Sequence, residues 1–571
     1  MQHSRFLSYL ALTVAPVAFI GTIWLYLYPL FDTACSFPEP VNATAPFRLL
    51  ALGDPQLEGD SSLPKTDAPI FRSLGSLTEH LQEADSLSDG CRLVVDALRG
   101  VPIDLVRAAE GYIRKPLDIW GNDWYLAHIV RTLRWWTRPS HVAVLGDLLG
   151  SQWVSDDEFA RRSRRYWGTV FKGMVRVPTS ITGGKEDKRE HEEGGVRKQK
   201  RWGGTVEQLG DDPAWSTRVI NIAGNHDIGY AGDIDDKRIE RFEDVFGSVN
   251  WDVVFTLPGT DDSPNAPALR LVILNSMNLD TPAYAEHLQR ETYDFINHII
   301  TTSRSVTDKT HATILLTHIP LHKEAGVCVD APLFHYFDGG GIKEQNMLSE
   351  YSSKMMLESI FGLNSNQHAL GNGFGRRGII INGHDHAGCD VLHYITQPGI
   401  KGQCPENIGE HEIHLPSIIT NTTTSLSVGS CAGNLLAANG SIPEPDREDE
   451  NRQWQAQRFP HLPYKANEDG ECIALHHVPR MREVTLRSMM GEFSGYAGFL
   501  SAWFDPSLGE RGEWRLELNT CGLGVQHWWW AVHIIDIVLV LVIVARGLVA
   551  FSEISQTSRV EDTKKKSNQT D

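Results

Sequence analysis

The chain has 571 residues, 41% of them hydrophobic and 22% charged, which is a globular composition in a length that exceeds a usual single domain. A net charge of −19 argues against a surface built to follow nucleic-acid phosphates, so no nucleic-acid partner is expected.

Residues 6–31 (FLSYLALTVAPVAFIGTIWLYLYPLF) carry no charge and exceed the ~20 residues that cross a bilayer. The run is too long for the ~7–15-residue core of a cleaved signal, and no small-residue cleavage pattern follows it, so a retained transmembrane helix is expected. Short apolar runs then end abruptly in polar motifs: FRLLALGDPQ at 47–56, HVAVLGDLLG at 141–150 and RVINIAGNHD at 218–227. LRLVILNS at 269–276, ATILLTHIP at 312–320 and RGIIINGHDH at 377–386 follow the same form. Each run reads as a strand buried on both faces, with its polar cluster at the carboxyl end, where α/β sheets place their ligands. Residues 181–204 and 436–470 are charged, Gly-rich or Pro-rich and read as flexible insertions. The strand-like runs at 471–478, 482–490, 496–505 and 513–520 are expected to complete a second sheet. A second apolar run, 528–551, opens with Trp528, Trp529 and Trp530, which suit an interfacial belt.

The flanking cations orient both spans. Arg5 precedes the first; Arg546, Arg559 and Lys564–Lys566 lie at or beyond the end of the second. The positive-inside rule puts both tails, including 552–571, in the cytosol, and a 47–520 catalytic domain in a lumen. All eight cysteines lie between the spans, as an oxidising compartment permits, with their pairing open among 105 connectivities. Asn42, Asn421 and Asn439 open glycosylation sequons on the same side.

The strand ends carry Asp54 and Gln56, Asp147, Asn225 and His226, His318, and His384 and His386. Carboxylate, imidazole and amide donors suit a pair of borderline-hard divalent ions, and a carboxylate is the natural bridge between two. A single Gly-Asp or a lone His is more often a turn or a satisfied surface group. The ordered set GD–GD–GNHD–H–GHDH, each member after an apolar strand, is far more specific.

That ordering resembles the calcineurin-like metallophosphoesterase superfamily over roughly 47–390. The resemblance implies a four-layered α/β/β/α sandwich, here flanked by two transmembrane helices. It also implies a dinuclear centre in which Asp54 binds the first ion and Asp147 bridges both. Asn225, His318 and His384 would then hold the second ion and His386 the first, while His226, oriented by Asp227, would donate a proton to the phosphoryl group or leaving group. The first motif departs from the family's usual Asp-x-His, having Asp54-Pro-Gln56, so Gln56 is expected to offer a weaker amide-oxygen ligand.

The strings at 52–60, 144–167 and 482–505 are similar to a fungal membrane branch of that superfamily, grouped with cell division control protein one and post-GPI-attachment factor five. That likeness implies a Mn²⁺-dependent phosphodiesterase of the endoplasmic reticulum or early Golgi membrane. Such an enzyme removes ethanolamine phosphate from the mannose core of GPI anchors and supports export of GPI-anchored proteins, with cargo receptors of the early secretory pathway as partners. Two other readings stand beside it: a luminal phosphoesterase for another lipid, nucleotide or phosphoprotein, and a non-catalytic cargo-sorting adaptor. Arg161, Arg162, Arg164 and Arg165 read as a substrate-phosphate contact or a solvated basic helix face. His322 and Lys323 read as pocket lining or surface loop, and Gly339–Gly341 with Gln345 and Asn346 as a glycan contact or a plain turn.

Overall fold

The computed structural model describes residues 2–59, 63, 70–75, 77, 81, 86–183, 202–259, 266–398, 402–403, 454–459, 464–466, 471–490 and 495–567. Most of both expected insertions, and the sequons at Asn421 and Asn439, lie outside these residues; Asn42 is described and exposed.

Two large sheets stack face to face. The first runs, in spatial order, Glu513–Gly522, Tyr496–Asp505, Phe47–Leu52, His141–Val144, Arg218–Asn221 and Val175–Arg176. The second runs Gln455–Arg458, Cys389–Tyr394, Arg480–Thr485, Arg377–Asn382, His311–Leu316, Ala268–Ile273, Trp251–Thr256 and Thr205–Gln208. The strands that end in the polar motifs are parallel to one another within each sheet: Leu50 pairs with Val142, Val144 with Asn221, and Ile380 with Leu315.

Strand periodicity explains the uninterrupted apolar runs. Leu49, Ala51, Ala143, Leu145 and Ile220 point into the layer between the sheets, where they meet Leu271, Ile273, Ile314, Leu316 and Ile381. Their neighbours Leu50, Leu52, Val142 and Val144 point outward into a cluster with Leu126, Ile129 and Leu133 of helix Lys115–Thr137. Both faces are covered, so alternation disappears from the sequence and the α/β/β/α sandwich results.

The C-terminal strands do not complete a second sheet together, as expected from sequence, but divide between the two. Tyr496–Asp505 pairs antiparallel with the free edge of Phe47–Leu52 in a register that sets Leu500 opposite Leu49, so both stay in the inter-sheet layer. Arg480–Thr485 instead fills the second sheet between Arg377–Asn382 and Cys389–Tyr394. Glu471–Ala474 joins a separate three-stranded sheet. A one-residue slip in either pairing would turn apolar residues to the wrong face, which is why the division is strict.

Helices Gln2–Phe31 and Gln526–Ser567 contain apolar windows of mean hydropathy 2.0 and 2.7, long enough to cross a membrane. They lie side by side in opposite directions. Ser4 Oγ donates to Glu553 at 2.7 Å, Thr22 Oγ1 donates to Asp536 at 2.9 Å, and Tyr26 OH lies 3.2 Å from His533 Nε2. His533 and Asp536 of the second apolar run thus find partners on the first helix. Beyond the helices, Cys35 and Cys521 form a disulfide, and Cys328 pairs with Cys389.

The Cys35–Cys521 bond gives a test of this arrangement. A protease site engineered between residues 184 and 201 should yield fragments that migrate as one band without reductant and as two with it. Cys35→Ser should separate them without reductant; unchanged co-migration would show that another bond joins the ends.

Candidate metal centre

Four of the expected site residues have left-handed backbone: Asp54 (φ 31°), Gln56 (φ 39°), Asp147 (φ 48°) and His384 (φ 72°). Such conformations cost about 1–3 kcal/mol each and persist where surroundings over-determine them. Here a turn straight off each strand end aims the side chain at one point between the sheets. Glycines permit the approach: a Cβ on Gly224 would meet Asp147 N and Oδ1 at 2.2 Å, and one on Gly383 would meet Asp54 Oδ1 at 2.6 Å.

Ligand atoms of Asp147, His318 and His384 lie within 4.8 Å of one another. His318 Nε2 is 3.3 Å from Asp147 Oδ1 and 3.0 Å from Asn225 Oδ1, and His384 Nδ1 is also 3.0 Å from Asn225 Oδ1. The other nitrogen of each ring meets a backbone carbonyl, His318 Nδ1 donating to Leu145 O at 2.7 Å and His384 Nε2 to Gln345 O at 2.8 Å. A carbonyl only accepts, so either ring, when neutral, presents a lone pair to the centre, where it faces an oxygen that is itself an acceptor. A cation between them resolves that conflict, and carbonyl-fixed imidazoles are the usual support of metal ligands.

Charge points the same way. Asp54 and Asp147 are fully buried, and Asp54 Oδ1 has no hydrogen-bond partner. Burial drives the Asp54 carboxyl well above its usual range; His318 opposes the rise and Asp147 adds to it. Asp147 is held well below its usual range because His226 and His318 outweigh its burial. Burial alone would keep His318 neutral, but Asp147 and Asp54 outweigh it and push its pKa up to about 9. Burial and His318 push His384 down to about 3. Without an ion the site draws a proton onto one histidine; a divalent cation answers the same field, so the donor set fits one.

Two expected roles look different in the structure. Gln56 turns its amide nitrogen, not its oxygen, to the centre: Nε2 donates to Asp147 Oδ2 at 2.9 Å and lies 3.0 Å from His386 Nε2. In this orientation it is a donor between two expected first-ion ligands. Asp227 does not orient His226. Its carboxylate accepts from Gly224 N, Leu148 N and Leu149 N at 2.9–3.1 Å, tying the GNHD loop to the GDLL loop, and burial with Asp147 pushes its pKa up to about 7. His226 keeps its ring a third exposed, Nε2 lying 3.7 Å from Asp147 Oδ2, and its Nδ1 is unpartnered.

Four other polar candidates serve the scaffold. Arg162 is buried against Glu158 (2.7 Å) and donates to Leu57 O, while Arg165 pairs with Asp123 through two 2.7 Å bonds. Lys323 is buried on Glu483 at 2.8 Å. Gln345 donates to Asp280 at 3.0 Å and lends its carbonyl to His384.

Glu483 was not singled out in the sequence. It accepts from Leu321 N (2.7 Å), just past His318, and from Asn382 Nδ2 (2.6 Å), two residues before His384. Lys323 and His393 hold its carboxylate at a pKa of about 2 against burial. One carboxylate therefore braces both histidine loops; its only signal was a charge inside an apolar strand run.

Gly224→Ala should lower divalent-metal affinity by ~10–100-fold, the usual effect of disturbing the groups that support a ligand, as read by titration with a metal-sensitive dye. Gly168→Ala, where nothing lies within 4 Å of the added Cβ, should leave it unchanged. Equal affinity in both variants would contradict the site.

No protein-family model matches the chain. It is 27% identical to Protein TED1 of Saccharomyces cerevisiae over 448 residues, 72% of this chain and 74% of that protein. It is 29% identical to the uncharacterized protein C23A1.02c of Schizosaccharomyces pombe over 322 residues, 53% of this chain and 64% of that one. Against metallophosphoesterase 1 of Danio rerio the identity is 22% over 302 residues, 50% of this chain and 62% of the relative. This donor set at the strand ends of this sandwich, together with these relatives, supports a likeness to the metallophosphoesterases.

Proposed function

We propose that the protein is a membrane-tethered, divalent-metal phosphodiesterase that removes ethanolamine phosphate from the mannose core of GPI anchors. The observation that carries the phosphoesterase reading is the cage of Asp147, His318 and His384, with Asn225 at hydrogen-bond distance from both rings. The substrate reading is supported by the strings at 52–60, 144–167 and 482–505, and by the two helices that could hold the domain near membrane-anchored glycans.

Asp147, Asn225, His318 and His384 would hold one ion, and Asp54 and His386 would contribute to a second; Mn²⁺ suits these oxygen and imidazole donors. Bound divalent ions supply charge neutralisation at the phosphate and a lowered pKa for the attacking water. His226, whose ring is a third exposed at the rim, would give a proton to the mannosyl oxygen as the P–O bond breaks. In the proposed topology the domain is luminal in the endoplasmic reticulum or early Golgi, both tails are cytosolic, and trimming supports export of GPI-anchored proteins with early-secretory cargo receptors.

Asp147→Asn should lose bound metal and nearly all hydrolysis of bis(p-nitrophenyl) phosphate. His226→Ala should keep its metal and lose ~10²–10⁴-fold in turnover, the range for a positioned proton donor. Near-normal turnover in either variant would remove that residue from the chemistry. For the substrate, the full chain in detergent is incubated with GPI glycan carrying ethanolamine phosphate on mannose. Release of ethanolamine phosphate by the wild type, and not by Asp147→Asn, is expected. Hydrolysis of the generic diester without trimming of the glycan would keep the phosphoesterase and reject this substrate.

A further inference from the structure

Helices Leu87–Ala109, Glu110–Arg114 and Lys115–Thr137 follow one another without a break. The last stretch is ordinary core, with Tyr125, Leu126, Ile129 and Leu133 buried. The first two-thirds expose large apolar side chains: Val95 (45%), Leu98 (58%), Val106 (67%), Ile113 (62%), Leu117 (54%) and Trp120 (54%). At about 100° per residue in the α-helical stretches, with the wider π turn Glu110–Arg114 between them, these six fall on one broad face. A flanking face is charged and paired within itself: Arg99 with Asp96 at 3.2 Å, and Arg114 with Glu110 at 2.9 Å and Asp118 at 3.2 Å. A stripe of this length in water is costly, and such stripes mark interaction surfaces.

The contacts of this helix with the two end helices say what covers the stripe. Trp120 packs on Trp530 with ring centroids 6.2 Å apart, and Gly121 lets the backbone lie against that indole, since a Cβ there would sit 1.9 Å from it. Sixteen residues on, Trp136 Nε1 donates to Tyr26 O at 2.8 Å, and between them His128 Nε2 lies 3.1 Å from Leu25 O. Trp120 and Trp136 are about 24 Å apart along their helix at 1.5 Å per residue. Tyr26 pairs with His533, which is one turn, or about 5 Å, from Trp530. The helix therefore crosses the end helices transversely, touching them where the Trp-rich boundary of the bilayer is expected.

We propose that Leu87–Thr137 lies in the plane of the bilayer interface on the side of the catalytic domain, with the Val95–Trp120 stripe immersed among phospholipid acyl chains. The proposal requires the end helices to cross the membrane and does not depend on the phosphoesterase reading. The helix is tied to the metal loop: Asp123 holds Arg165, Arg165 Nη1 donates to Glu58 O, and Lys115 pairs with Glu58 at 2.6 Å, two residues past Gln56. It thereby sets the height of the site above the headgroups. Helices of this kind bury their apolar face by about 5–10 Å.

The test uses the full chain reconstituted in phosphatidylcholine–phosphatidylethanolamine vesicles, with benzoylphenylalanine replacing one residue at a time. Illumination should give phospholipid adducts at 106 and 113 and none at 107 and 118 on the charged face, read by mass spectrometry. Adducts to a second polypeptide at 106 and 113, an absence of lipid adducts there, or equal lipid labelling on both faces would each overturn the proposal.

Discussion

Two fully buried carboxylates, Asp54 and Asp147, flank one imidazole, and the rest of the site answers the field they create. His318 stands 3.6 Å from Asp54 Oδ1 and 3.3 Å from Asp147 Oδ1. Unit charges at about 4 Å interact by about 4 kcal/mol at the dielectric of a protein surface, and more when buried. Two like charges held this way are unfavourable unless a cation joins them. The left-handed turns at Asp54, Gln56, Asp147 and His384 add strain in the same direction. A fold that assembles both has to be over-determined elsewhere.

The sandwich supplies that support. Parallel strands buried on both faces end at a common level, and glycines let the loops beyond them close to contact distance. Asp227 ties two loops together through three backbone N–H groups, and Glu483 braces the two that carry His318 and His384. Arg162 and Arg165 connect the first loop to its surroundings, and through Asp123 to the helix that meets the end helices. Site geometry and membrane-proximal architecture are thus parts of one hydrogen-bonded frame.

Much of this was legible because the controlling signals are local. A β-branched or Leu-rich run ended by Gly-Asp, Gly-Asn-His-Asp or Gly-His-Asp-His states both the strand and the loop that leaves it. What stayed hidden depends on partners far along the chain. The amide of Gln56 turns its nitrogen inward because Asp147, ninety-one residues on, is an acceptor. Asp227 sits beside His226 in sequence yet bonds to the Asp147 loop. Arg162, Arg165 and Lys323 looked available for a substrate until Glu158, Asp123 and Glu483 were placed against them. The C-terminal strands carry apolar alternation that suits either sheet, and only the free edge at Phe47–Leu52 decides which. The amphipathic stripe of 95–120 was readable in principle, but its meaning comes from Trp530 and Tyr26.

The central claim is that the carboxylates and histidines form a cage for a divalent ion. Crystals of the protein grown with Mn²⁺ and measured at the manganese absorption edge test it directly. The account predicts an anomalous peak within bonding distance of Asp147, His318 Nε2 and His384 Nδ1, with His318 Nδ1 still on Leu145 O. A map with no peak there, or with its strongest peak away from these side chains, would contradict it.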